Sequence, residues 1–127
     1  MTTPTLTQQT ENHLLLTLVV DKAMTSEWAT EKVDVYGYDM GTIQAVWAGA
    51  NTSKGKIQPQ MTVDGINWLN LFPDTAVQKV TSGAGTLAYN LDNIHYRQLR
   101  VCFNPVNNTA GTLTIYAFLK RHWSPNR

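Results

Sequence analysis

The chain has 127 residues, of which 43% are hydrophobic and 15% charged, and its formal net charge is +1. This length suits one domain, and the hydrophobic fraction excludes an intrinsically disordered chain. Ten basic residues against nine acidic ones exclude a nucleic-acid binder that works through bulk positive charge. An average soluble domain is about 25% charged, so we expect part of this surface to contact other protein.

Short apolar or alternating runs, separated by turn residues, predict the strands of the first half. These runs are residues 13–20, 33–39, 42–47, 56–63 and 67–72. Asp64-Gly65 stands between the last two runs. An Asp-Gly pair between apolar runs is typical of a tight hairpin with a primed turn, because both residues tolerate positive φ.

The second half follows the same pattern, with predicted strands at residues 77–81, 86–91, 96–103 and 112–120. The glycine-rich residues 82–85 predict a turn between the first two of them. The 17 threonines of the chain also favour strands, because β-branched side chains fit a pleated sheet. Eight to nine short strands at a spacing of about ten residues predict a single-domain, all-β antiparallel β-sandwich, jelly-roll-like in form.

The domain is expected to cover residues 13–121, between a flexible N-terminal arm (residues 1–12) and a C-terminal tail (residues 122–127). Residues 21–32 are polar, and we favour a loop that crosses between sheets over a single helical turn. No signal peptide or apolar run of membrane-spanning length is visible, so we expect a soluble protein without a membrane partner. A lone Cys102 excludes an intrachain disulfide and indicates synthesis in a reducing compartment.

Motifs that would support catalysis are missing from the sequence. The three histidines (His13, His95 and His122) have no neighbour at metal-ligand spacing, and neither a Gly-x-Ser-x-Gly motif nor a phosphate-binding loop occurs. We therefore expect no enzyme activity, no catalytic residue, no cofactor and no metal.

Aromatic and basic residues near the end of the chain are candidates for a protein interface. Leu113, Ile115, Ala117 and Leu119 share one face of the last strand, so its other face carries Thr114, Tyr116 and Phe118. A strand that is apolar on both faces is either central in its sheet or covered by a partner. Trp47 and Trp68 are expected in the core, whereas tryptophans in polar segments are expected to anchor a partner. The interface candidates are Trp28, Tyr116, Phe118, Lys120, Arg121 and Trp123.

Charge is unevenly distributed along the chain. Residues 1–40 hold six acidic and two basic residues, whereas residues 96–127 hold five basic and no acidic ones. This asymmetry favours a sandwich whose oppositely charged ends meet in a ring or lattice, with a chance distribution as the alternative.

Five segments resemble small β-sandwich proteins encoded among the structural genes of tailed phages. They are residues 33–39 (VDVYGYD), 43–49 (IQAVWAG), 63–68 (VDGINW), 96–101 (YRQLRV) and 111–115 (GTLTI). The resemblance extends over residues 12–120. It implies a virion component, namely a capsid decoration (cement) protein or a domain of a head or tail appendage, with no enzyme activity and no cofactor.

The first functional hypothesis is accordingly a non-enzymatic cement protein, made in the host cytoplasm, that binds the major capsid or other virion proteins. We expect a homo-oligomer, with a trimer favoured. The alternative is a carbohydrate- or receptor-binding module of a phage head fibre or tail. In that case Trp28, Tyr36, Tyr38 or Trp123 would stack against sugar rings.

Overall fold

The computed structural model describes residues 4–9, 13–92, 94 and 96–121. This part of the chain holds eleven β-strands and one 3-10 turn, Asp74–Ala76, without any α-helix. The strands are β1 Thr5–Gln9, β2 His13–Ala23, β3 Trp28–Ala29, β4 Val33–Asp34, β5 Met40–Ala50, β6 Lys56–Thr62, β7 Leu69–Asn70, β8 Gln78–Lys79, β9 Gly83–Asp92, β10 Gln98–Asn104 and β11 Thr112–Lys120. The all-β prediction is confirmed. The count exceeds the expected eight to nine because four strands contain only two residues each.

The strands form two antiparallel sheets that face each other. Sheet I has the order β1-β2-β11-β5-β9. Sheet II has the order β3-β10-β6-β7, with β4 paired to β10 and β8 paired to β6. From β2 onward the chain alternates between the two sheets, so β2, β5, β9 and β11 of sheet I pair with partners that are distant in sequence, apart from the short β1. The two sheets form an antiparallel β-sandwich.

The core lies between the sheets, where alternate residues of each strand point inward. In β11, Leu113, Ile115, Ala117 and Leu119 are fully buried. Because β11 lies between β2 and β5, it is a central strand, which is one of the two expected explanations for its apolar composition. The opposing and flanking strands complete this core with Leu18, Ile43, Ala45, Ile57, Met61, Leu99, Val101 and Phe103. Removal of this apolar surface from water is the main stabilising contribution.

The N-terminal segment that we expected to be a flexible arm contains a paired strand. Residues Thr5–Gln9 pair antiparallel with β2, with Thr5 opposite Thr17 and Gln9 opposite Leu14. Alternating threonines fit a strand, and β2 offers them an unpaired edge. The remaining residues of that segment (1–3 and 10–12), His95 and the predicted tail (residues 122–127) lie outside the described residues.

Two predictions of secondary structure, one strand and one turn, were wrong at segments that contain glycine. The strand expected at residues 33–39 ends at Asp34, because Gly37 has a φ of +95° and the chain turns there. The turn expected at residues 82–85 is instead mostly strand, since β9 begins at Gly83. Gly85 accommodates a neighbour: a Cβ atom there would lie 2.6 Å from the ring of Trp47. Trp47 is buried, as expected, and its Nε1–H donates to the Thr81 carbonyl (2.8 Å).

The predicted primed turn at Asp64-Gly65 is also wrong. Gly65 has a φ of +79°, but Asp64 does not have a positive φ, and the connection between β6 and β7 runs through residues 63–68. Asp64 Oδ1 accepts hydrogen bonds from the amides of Ile66 and Asn67, both at 2.8 Å. These amides, with that of Asn67 contributing most, hold the pKa of the Asp64 carboxyl well below its ordinary value. The side chain therefore organises a longer loop.

Residues 21–32 cross between the sheets as a non-helical connection, as we favoured. The first three residues of this segment extend β2, a turn follows, and β3 then adds Trp28 to sheet II. Within the turn Met24 is fully buried, and its carbonyl accepts a hydrogen bond from Asn108 Nδ2 (2.8 Å).

Candidate functional site

Three neighbouring strands of sheet I present uncharged side chains on their outward side. We call this surface the outer face and define it by nine residues of β5, β9 and β11: Thr42, Gln44, Val46, Thr86, Ala88, Asn90, Thr114, Tyr116 and Phe118. Its large apolar side chains are only partly covered, since Val46 is 40% and Phe118 39% exposed. Exposed Lys120 and Asp92 border this face at one end, and β2 borders it along β11, where Asp21 Oδ1 accepts a hydrogen bond from Thr114 (3.5 Å) and the His13 ring stacks 5.5 Å from that of Phe118.

The strand register arranges the outer face in rows across three strands. Met40 pairs with both Lys120 and Asp92, and Thr42 pairs with both Phe118 and Asn90. The next rows are Tyr116–Gln44–Ala88 and Thr114–Val46–Thr86. Three of the interface candidates, Tyr116, Phe118 and Lys120, therefore lie side by side on one surface. Large side chains are concentrated on β11 and small ones on β9.

The other interface candidates lie elsewhere. Trp28 belongs to sheet II, where its ring packs 5.5 Å from that of Phe103 and its Nε1–H donates to the Ala23 carbonyl (2.9 Å). It is half-buried and closes an edge of the core. Arg121 places its guanidinium 5.4 Å from the ring of Tyr38. Trp123 lies outside the described residues.

The outward side of sheet II carries a second arrangement, which we call the amide face: Gln58, Gln60, Asn70, Arg100 and Cys102. Gln60 Oε1 accepts hydrogen bonds from Arg100 Nε (2.8 Å) and the Cys102 thiol (3.1 Å), and Gln60 Nε2 donates to Asn70 Oδ1 (2.6 Å). Gln58 forms two hydrogen bonds with the backbone of Phe72. These contacts fix the polar side chains in one arrangement.

A polar groove of about 270 Å³ crosses the amide face. Gln58, Gln60 and Asn70 line it together with three charged side chains, those of Glu27, Lys56 and Asp74. Nearby, the guanidinium of Arg100 lies 4.4 Å from the ring of half-buried Trp68, which we had expected in the core. Burial raises the pKa of the Cys102 thiol, so the thiol is protonated at neutral pH and is a poor nucleophile.

Three of the four aromatic residues expected to stack against sugars are described, and they differ in exposure. Tyr36 is 83% exposed, but Tyr38 is buried beneath Arg121. Trp28 is partly covered by its core contacts, including the ring of Phe103.

Sequence reasoning missed the amide face and half of the outer face. A signal was present: glutamines alternate with apolar residues at positions 57–61, which places Gln58 and Gln60 on the same side of a strand. The partners of these glutamines come from β7 and β10, and only the pairing of distant strands brings them together.

The described residues contain neither a metal-ligand cluster nor a membrane-spanning helix. No group of three or more histidine, cysteine, aspartate or glutamate side chains in the described part of the chain is placed to hold a metal ion. Among the same residues, no helix has the length and apolar character needed to span a membrane.

Comparison with known proteins identifies related folds. No protein-family model and no curated protein matches the chain. The crystal structure of the SPBc2 prophage-derived protein YomS is similar, with a TM-score of 0.57 and 15% identity over 94% of this chain and 96% of that one. A chain in the structure of infectious bursal disease virus Gx strain has a TM-score of 0.50 and 7% identity, over 95% of this chain and 33% of the viral chain. The N-terminal cellulose-binding domain of Cellulomonas fimi β-1,4-glucanase C is more distant, with a TM-score of 0.44 and 10% identity over 86% of this chain and 76% of that domain. The β-sandwich fold is thus shared with proteins from a prophage and a virus.

Proposed function

We propose that this protein is a non-enzymatic structural component of a phage virion, and specifically a decoration (cement) protein that binds the outer shell as an oligomer. The observation that carries this proposal is the outer face. It exposes Phe118 and Val46 on a sheet surface with no charge among its nine residues. Protein interfaces are enriched in aromatic residues and depleted of charged ones at their centre, and this surface has both properties.

The assignment to a virion rests on two further supports. The sequence resembles structural proteins of tailed phages over residues 12–120, and the fold is similar to that of a prophage-derived protein. In this proposal the chain is made in the host cytoplasm and joins the virion through the major capsid protein or another shell protein.

A cement protein stabilises a shell by binding the assembled lattice and not its dissociated subunits. Each contact can be weak, because many copies act together across the lattice. A small domain with one uncharged face and a low content of charged residues suits this mode of action.

The test uses shells of the phage that encodes this chain, assembled without the protein. Purified protein should co-sediment with these shells, reach saturation at a fixed number of copies per shell, and raise the temperature at which the shells disassemble. Shells that already carry the protein are the control, because their sites are occupied. Failure to bind the empty shells would contradict the proposal.

The amide face favours a second candidate function, the binding of a carbohydrate. Amide side chains offer donors and acceptors that match sugar hydroxyl groups, and the network around Gln60 holds them in place. On this reading the protein would be a glycan-binding module of a head fibre or tail.

A glycan array separates the two functions. If the second candidate is right, a polysaccharide should bind, and Arg100→Ala should weaken that binding at least tenfold because Gln60 loses its guanidinium partner. Arg97→Ala is the matched control, since Arg97 is exposed three residues earlier in the chain. A protein that binds shells but no glycan on the array would support the cement function alone.

A further inference from the structure

We propose that two copies of this protein pair face to face through the outer face, related by a two-fold axis that runs along β5. This inference deepens the proposed function and rests on it, because in that proposal the protein binds the shell as an oligomer, and the inference assigns the outer face to the contact between copies. Its tests use the free protein, however, so the two proposals can fail separately.

The arrangement of charge on the outer face is complementary to itself. A two-fold axis along β5, in the plane between two such sheets, places β11 of one copy over β9 of the other. Lys120 and Asp92 occupy the same row, one on each side of Met40. Each Lys120 therefore meets an Asp92 of the second copy, and the contact occurs twice because the interface is isologous.

The sizes of the side chains follow the same symmetry. The bulky residues of the face, Tyr116 and Phe118, are on β11, whereas the facing rows of β9 hold Ala88 and Asn90. Large residues thus lie over small ones when the copies pair. A depression of about 280 Å³ lies between these strands, lined by Met40, Thr42 and Asn90 and also by Phe118 and Lys120 of the same copy. In the proposed pair, Phe118 of the second copy lies over Asn90, at the β9 side of this depression.

The available area is small for a stable dimer. Three strands about 4.8 Å apart and nine residues long, at about 3.4 Å per residue, cover roughly 440 Å² in projection. Stable interfaces bury about 800 Å² per partner, so we expect a weak, reversible dimer that forms at micromolar concentrations or above. An isologous contact joins two copies, so this proposal predicts a dimer in place of the trimer that we favoured from the sequence.

Sedimentation equilibrium of the purified protein tests the pairing directly. The mass should double over micromolar concentrations. Asp92→Lys, which places like charges opposite each other, should weaken association about tenfold, and adding Lys120→Asp to the same chain should restore it. Lys79→Asp is the matched control, because Lys79 is exposed on sheet II, and it should leave association unchanged.

A cross-linking experiment keeps the proposal testable if a charge variant misfolds. Gln44 lies on β5, next to the proposed axis, so Gln44→Cys should be joined to its counterpart by a short bis-maleimide. The unmodified chain, whose lone Cys102 is on sheet II, should not cross-link. A protein that stays monomeric at several hundred micromolar, a trimeric mass, or no cross-link at Gln44→Cys would overturn the pairing. Shell binding by a monomer would leave the cement function standing.

Discussion

Replacing Asn108 with alanine should destabilise the domain strongly, because its buried side chain forms four hydrogen bonds. Asn108 is 1% exposed and lies between β10 and β11. Its Oδ1 accepts hydrogen bonds from the amides of Asn51 (2.9 Å) and Thr52 (3.2 Å), while its Nδ2 donates to the carbonyls of Met24 (2.8 Å) and Ala110 (2.6 Å). One side chain thus holds together the β2–β3, β5–β6 and β10–β11 connections at one end of the sandwich.

The magnitude follows from what alanine leaves behind. A hydrogen bond contributes about 1 kcal/mol net, and a buried group left without a partner costs about 1–3 kcal/mol. Met24 is fully buried, so its carbonyl bears the larger cost, whereas Asn51 is exposed and water can replace its partner. We therefore expect a loss of about 2–4 kcal/mol in the free energy of unfolding, which lowers Tm by roughly 10 °C.

Urea unfolding followed by tryptophan fluorescence measures this loss. Asn70→Ala is the matched control, because Asn70 is exposed and its side chain accepts one hydrogen bond, from Gln60. The control should lose less than about 1 kcal/mol. If Asn108→Ala unfolded at the same urea concentration as Asn70→Ala, the role we assign to Asn108 would be refuted.

Three further outcomes are expected. Gly65→Val should destabilise the domain by about 1–3 kcal/mol, measured by thermal unfolding, because Gly65 has a φ of +79°; an unchanged Tm would show that the loop adapts. Gly85→Ala should cost about 1–3 kcal/mol and alter the near-ultraviolet circular dichroism of Trp47, because the new Cβ meets its ring. Because the pKa of Asp64 is lower in the folded state, its stabilising effect is present above its ordinary pKa of 3.8 and is lost as the pH falls below that value. The urea midpoint should therefore decrease more between pH 6 and pH 3 in the wild type than in Asp64→Asn. Equal decreases would contradict this stabilising role of the Asp64 carboxylate.

The parts of the fold that the sequence predicts are those where burial alternates over a long strand. The strand predicted at residues 112–120 matches β11 at both ends, because its apolar residues alternate and a flanking glycine, Gly111, has a positive φ. The short strands were predicted less well. Only residues Leu69–Asn70 of the predicted strand 67–72 pair with β6, because residues 67 and 68 belong to the loop that Asp64 organises.

The candidate surfaces could be predicted only in part. Tyr116 and Phe118 were predicted as interface residues because they alternate with the buried apolar residues of a single strand, β11. Their neighbours Ala88 and Asn90 come from β9, on the far side of β5, and no local pattern connects them with β11. The amide face has the same origin, since it combines residues of β6, β7 and β10.

The charge asymmetry along the chain shows most clearly how topology changes the reading of a sequence. Acidic residues early in the chain and basic residues late in it were expected to lie at opposite ends of the sandwich. Instead β4, which contains Asp34, pairs with β10, which contains Arg100, and Gln98 of β10 donates to Asp34 Oδ1 (3.0 Å). The early and late parts of the chain are therefore neighbours within one copy. In the pairing that we propose, the charges that orient two copies are Lys120 and Asp92 at the border of the outer face, and strand order places them in the same row although they are distant along the chain.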